Sequence, residues 1–275
     1  MISRRELLLA GIVSGVPFAA TASSERRSYM LGSSLIEDIV KDLTDGDAAT
    51  RLFVSGSACP GHTDVKASDL IFALHSNGIF VHPPQIRLST LSQMFAAESA
   101  IREKTHAVDV AGSWLIPTIQ AQASCRIAEL LQENETAPFK SFVKRRLKQR
   151  LEKLADFSSE LTLLRERFLG KTVIASAMQK EFLTWCGLNV VAVFGSADSL
   201  DPKTLVNLFR EVKGKKIDGV VDNLQSGSEA GFPIASELGL GRVVLSNFPG
   251  SAQNVPDYFS LVRENVRLLL SLIGA

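Results

Sequence analysis

Between Pro138 and Leu169, the residues Val143, Leu147, Leu151, Leu154, Leu161, Leu164 and Phe168 recur three, four or seven positions apart amid Lys, Arg, Glu and Gln. That spacing puts the apolar side chains on one stripe of an α-helix. Thr136 and Pro138 supply start signals and Gly170 a stop. About 32 residues then extend roughly 48 Å at 1.5 Å per residue, more than one small domain needs. The spacing therefore predicts a linking helix over residues 137–169, an N-terminal lobe over 23–136 and a C-terminal lobe over 170–275.

Both flanks alternate short apolar runs with helix-length segments. In the first, Leu35 to Leu43, Leu91 to Ile101 and Ile119 to Leu131 read as helices, and Arg51 to Val54, Ile79 to Val81 and Ala107 to Val110 as strands. In the second, Thr172 to Ala175, Val190 to Phe194, Gly219 to Val221 and Arg242 to Leu245 read as four strands with a helix-length segment between each pair. Such alternation implies α/β architecture: two Rossmann-like lobes with mainly parallel sheets, joined by one long rigid helix. Right-handed crossovers bring the strands' C-terminal ends to one edge, where open α/β sheets bind ligands. At 275 residues and 45% hydrophobic, the chain has room for two modest cores.

Residues 1–22 differ in character from the rest of the chain. Arg4 and Arg5 precede the apolar run Leu7 to Val16, and small residues end at Ala20-Thr21-Ala22. This reads as a signal peptide removed on export to the periplasm or another extracytoplasmic space. Ser3-Arg4-Arg5-Glu6-Leu7-Leu8 resembles a twin-arginine signal, and the Sec and twin-arginine routes both stay open. The apolar run is too short to span a bilayer, which takes about 20 residues. Lys and Arg total 30 against 29 for Asp and Glu, so no field favours nucleic acid. Cys59, Cys125 and Cys186 are too few and too scattered for a disulfide framework.

Candidate contacts gather at predicted strand ends. Ser176 and Gln179 follow the first strand of the second lobe, Asn223, Gln225 and Ser226 the third, and Asn247 the fourth. Asp222 to Ser228 is expected to open a helix, whose N-terminal N–H groups suit an anionic or polar ligand. In the first lobe, Cys59 and His62 sit three apart on a turn. His82, ahead of Pro83-Pro84, ends a strand near the same edge. Trp114 and Phe248 can wall an organic ligand, while Trp185 reads as core. No nucleophile with a paired base, no phosphate-binding Gly-rich loop and no His-rich triad occurs, so an enzyme is not expected.

The order of lobe, long helix and lobe, with Pro60-Gly61-His62-Thr63-Asp64-Val65-Lys66-Ala67-Ser68-Asp69-Leu70, resembles the zinc and manganese receptors of ABC transporters. The resemblance runs from about Tyr29 to the end. It implies a cleft holding a metal through about four side chains, and delivery to a membrane permease. His62 matches a family ligand. Gly112 stands where the family has a histidine before Ser113-Trp114-Leu115, Ser176 where it has another, and Asn247 where it has an aspartate. One imidazole among serines and amides is a poor zinc shell, whereas Ser, Asn and Gln suit directional hydrogen bonds. The expected ligand is a transition-metal ion, a metal chelate or a small polar molecule, with His62 the one metal ligand and Cys59, Ser113, Ser176, Gln179, Asn223, Gln225, Ser226 and Asn247 its further contacts. The expected partner is an ABC transporter permease and the expected state a monomer. An exported metal-handling or cofactor-carrying protein without a permease is the alternative.

Overall fold

In a computed structural model of the chain, residues 26–53 and 66–274 are described; the signal-like segment, Cys59 and His62 lie outside them. The first lobe runs β1 (Ser28–Leu31), α1 (Ser34–Leu43), β2 (Ala49–Leu52), α2 (Ala67–His75), β3 (Gly78–Val81), α3 (Ser89–Ala97), α4 (Ser99–Glu103), β4 (Thr105–Ala107) and α5 (Pro117–Gln132). After α6 (Ala137–Arg165) the second lobe runs β5 (Thr172–Ser176), α7 (Lys180–Cys186), β6 (Asn189–Phe194), α8 (Pro202–Val212), β7 (Gly219–Asn223), α9 (Phe232–Leu238), β8 (Arg242–Leu245) and α10 (Tyr258–Leu272). The sheets are ordered β2-β1-β3-β4 and β6-β5-β7-β8, and every pairing is parallel. The central strands are covered on both faces, which is why β3 and β7 are buried throughout and read as apolar runs instead of alternating.

The long helix is continuous. Pro138 sits in its first turn, where a missing N–H costs nothing. It stops four residues short of Leu169: Arg167 N bonds to Leu164 O and Phe168 N to Arg165 O, so the chain tightens into three-residue turns before Gly170 takes a left-handed φ of 77°. Its 29 residues span about 44 Å.

Other boundaries shift as well. The fourth strand lies at Thr105–Ala107, ahead of the expected Ala107 to Val110. Val108 still donates to Val81 O, but Val110 N then bonds to Val108 O and the chain turns away. The helix expected over Leu91 to Ile101 is two, parted at Glu98, whose backbone is extended at φ −147°. After β7 no helix opens: Leu224–Ser226 forms a short 3-10 turn, Gly227 follows at φ 96°, and α9 begins only at Phe232. The expected cluster of helix N-terminal donors at Asp222 to Ser228 is therefore not formed.

Packing corrects the expectation of two separate cores. One continuous cluster runs from Leu31, Ile36 and Phe80 through Val143, Leu154, Phe157 and Leu161 of α6 to Val173, Phe182, Leu245 and Tyr258 of the second lobe. Smaller clusters cover each sheet's other face, around Met30 and Ile79 in one lobe and Ile174 and Val220 in the other. The long helix is thus cemented into both lobes instead of merely spacing them.

At its midpoint lies Arg150, 1% exposed. Its guanidinium donates to Asp38 Oδ2 (2.7 Å) and Asp42 Oδ2 (2.9 Å) on α1 and to Ser124 Oγ (2.9 Å) on α5. Gln120, with its amide oriented to suit its neighbours, accepts from Nη2 at 3.1 Å. Burial opposes the charge, but the two carboxylates outweigh it and the guanidinium pKa is raised. Asp38 Oδ1 in turn accepts from Tyr258 N at the start of α10 (3.1 Å), and Tyr258 Oη donates to Leu115 O (2.9 Å). Four helices are fastened at one point.

Replacing Arg150 by Ala leaves Asp38 without its cation and Asp42 with Arg146 alone, at 2.8 Å, and should cost about 3–5 kcal/mol. Urea unfolding followed by circular dichroism measures it, and a loss below about 1 kcal/mol would contradict the role given to Arg150.

Candidate functional site

In each sheet the chain builds outward from its earliest strand, β1 or β5, first to one side and then to the other. The order reverses between β1 and β3 in the first lobe and between β5 and β7 in the second. Loops leaving two strands at such a reversal must diverge, and the crevice between them is where open α/β sheets take ligands. Both crevices of this protein are bridged by polar side chains.

In the second lobe the bridge is made of carboxamides. Gln179, in the short 3-10 turn Ala177–Gln179 after β5, donates from Nε2 to Asn223 Oδ1 at the end of β7 and to Asn247 Oδ1 after β8, both at 2.9 Å. Asn223 Nδ2 donates to Ser226 Oγ (2.7 Å). Gln225 donates to Ser246 Oγ (2.9 Å) and accepts from Asn247 N (3.0 Å). Ser176, Gln179 and Asn223 are 1%, 0% and 1% exposed. Two atoms in this cluster are buried without a partner among the described residues: Ser176 Oγ and Gln179 Oε1. A buried polar atom left unsatisfied costs about 1–3 kcal/mol, so the pair marks a place awaiting hydrogen bonds.

Carboxylate charge is kept away from this wall. Asp222, 0% exposed, accepts from Arg242 Nη1 (2.6 Å) and Gly231 N (2.8 Å). It ties the far side of β7 to β8 and leaves the amides uncharged.

In the first lobe the bridge is His82 after β3, whose Nε2 shares a hydrogen bond of 2.8 Å with Ser33 Oγ after β1. Gln85 holds this crevice shut: its Oε1 accepts from His82 N (2.8 Å) and its Nε2 donates to Gly32 O (2.7 Å). A side chain at residue 32 would collide with that amide, so Gly32 is what lets Gln85 reach across. Trp114 lies edge-on to the His82 ring, with centroids 4.5 Å apart. Burial lowers the imidazole pKa from 6.5 to about 4, so His82 is neutral near pH 7.

The strand-end loops of the two lobes meet. Ser34 Oγ, just past β1, donates to Pro249 O, just past β8, at 2.6 Å. Past β4, Gly112 adopts a left-handed φ of 99°, and a Cβ there would lie 2.8 Å from Glu181 Oε1 of α7. An open groove of about 540 Å³ runs beside this contact, lined by Ile116 of the first lobe and Ala177, Lys180, Glu181, Thr184 and Trp185 of the second.

Of the residues singled out in the sequence, Ser176, Gln179, Asn223, Ser226 and Asn247 are brought together, with Gln225 joined to them through Asn247 N. Ser113 is on the other lobe, in the loop that carries Gly112 and Trp114. Phe248 and Trp185 pack against the core. Sequence reading missed Ser33 and Gln85, although Gly-Ser-Ser after an apolar run and the cap-like spacing of His82 to Gln85 mark them. Among the described residues no three His, Cys, Asp or Glu side chains gather as a metal site, and Cys125 and Cys186 are free thiols.

No family profile matches the chain, and no curated protein sequence does. Solved structures do match. The crystal structure of ZnuA superposes with a TM-score of 0.74 at 14% identity, covering 90% of this chain and 99% of that one. A Mn-bound periplasmic metal binding protein from Candidatus Liberibacter asiaticus gives 0.72 at 13%, covering 90% and 99%. The SBP FpvC from Pseudomonas aeruginosa, in complex with Mn2+, gives 0.73 at 13%, covering 91% and 99%. The chain has the two-lobe fold of these proteins almost end to end.

Because His82 takes its proton less readily when folded than when unfolded, stability should be full above about pH 6.5. It should fall as the pH drops towards 4, by up to about 3 kcal/mol from this group. Urea denaturation at about pH 7.5 and pH 5 should show a smaller drop for His82→Asn than for the unaltered chain; equal drops would remove His82 as the cause.

Proposed function

We propose that the protein is an extracytoplasmic substrate-binding protein of an ABC transporter, which captures a small ligand between its lobes and hands it to a permease. The observation that carries this reading is the meeting of strand-end loops across the cleft, with Ser34 Oγ on Pro249 O at 2.6 Å and a bridged crevice on either side. A ligand held there is touched by both lobes, and its presence is written into how they sit. The solved structures that share the fold support the same kind of role, since their names describe periplasmic metal-binding and substrate-binding proteins.

Hydroxyls, carboxamides and a neutral imidazole hold a ligand without transforming it, so the site binds and releases. Among the described residues no helix is long and apolar enough to cross a membrane. The Arg4-Arg5 segment serves export, by Sec or twin-arginine, and the mature chain works as a monomer outside the cytoplasm. Metal ion, metal chelate and small polar molecule all belong to the class of cargo. With one helix joining the lobes, and Arg150 fastening it to the first directly and to the second through Asp38, ligand exchange proceeds by small tilts and loop shifts.

Mass spectrometry of protein recovered from the cell envelope tests this directly. A chain cleaved near residue 22, carrying a stoichiometric small ligand and crosslinking to a membrane permease, is the expected result. Cytoplasmic protein with an intact N-terminus would end the reading. An exported protein that keeps its ligand but contacts no permease would favour a metal-handling or cofactor-carrying role instead.

A further inference from the structure

We propose that the second lobe recognises an uncharged group carrying N–H or O–H donors, docked on Gln179 Oε1 and Ser176 Oγ, and not a bare divalent cation. This rests on the receptor reading above and narrows its cargo.

The wall's own hydrogen bonds decide which atoms are left over. Both oxygens of Asn223 and Asn247 that face Gln179 are taken by its Nε2, and Asn223 Nδ2 is taken by Ser226. What remains buried and without a partner among the described residues is a carbonyl oxygen, which only accepts, and a hydroxyl, which donates or accepts. An acceptor-only anion would repel Gln179 Oε1. Among the described residues the one buried carboxylate, Asp222, is committed to Arg242 and Gly231, so an ammonium group would meet no free buried counter-charge, and a buried cation without one is strongly disfavoured. A bare zinc or manganese ion needs several carboxylate, imidazole or thiolate donors. Among the described residues this wall has none, and neutral His82 is bonded to Ser33 in the other lobe. A neutral donor-bearing group, free or at the rim of a metal chelate, supplies the hydrogen bond that each of these atoms lacks. Both are sealed from solvent, so the site must open locally to admit it.

A crystal structure of the unaltered mature protein, purified without chelators, tests the proposal with no substitution involved. An organic group within hydrogen-bond distance of Gln179 Oε1 and Ser176 Oγ is the expected result. Ordered water alone on these atoms, or a metal ion coordinated by them, overturns it. In solution, the probes are ZnCl2 and MnCl2: stoichiometric binding that weakens tenfold or more in Gln179→Met or Ser176→Ala also overturns it. Either variant should instead leave metal titrations unchanged and reduce retention of the co-purified molecule at least tenfold. A metal seated on this wall would sink the donor-group class yet leave the receptor reading standing, whereas failure to reach the cell envelope would sink the receptor reading alone.

Discussion

A guanidinium with almost no exposure fixes the arrangement of everything else. Arg150 sits where α1, α5 and α6 converge, and through Asp38 it also pins the first residue of α10. A buried cation tolerates little error in its surroundings, because each misplaced carboxylate or hydroxyl leaves charge uncompensated in a medium of low polarity. The two lobes are therefore held in one relation by geometry as well as by apolar contact. The apolar cluster running through α6 supplies area, and Arg150 supplies the register in which that area is buried.

Consequences reach the cleft through Tyr258. Its hydroxyl ends on Leu115 O, next to the Trp114 that packs on His82, while its backbone N–H ends on Asp38. The loop that follows β4 in the first lobe and the last helix of the second share this one tyrosine. A displacement of either lobe is therefore transmitted to the crevice of the other.

The fold was legible where periodicity is strong. The leucine stripe of α6 and the apolar runs of β3, β5 and β7 follow from burial alone, and three loops of the second lobe were found by asking what lies at strand ends. What escaped depends on contacts between distant segments. Glu98 breaks a helical run without Gly or Pro, and nothing near Asp222 announces that its carboxylate belongs to Arg242 rather than to a helix cap. Arg150 reads as one more basic residue on a solvated face, because its acidic partners lie 108 and 112 residues away. Ser33 and Gln85 carry local cap-like signals, but their bonds across the crevice, Ser33 to His82 and Gln85 to Gly32, join segments 49 and 53 residues apart.

The chain passes from one lobe to the other once, along α6, and does not return. Each half therefore keeps its own sheet, its own reversal point and its own bridging side chains within a single stretch of sequence. Substitutions that rebuild one wall need no matching change in the opposite sheet, so long as the central strut and its charge cluster persist. Such modularity explains how an architecture can outlast nearly all sequence similarity while the lining of each crevice is rewritten one half at a time.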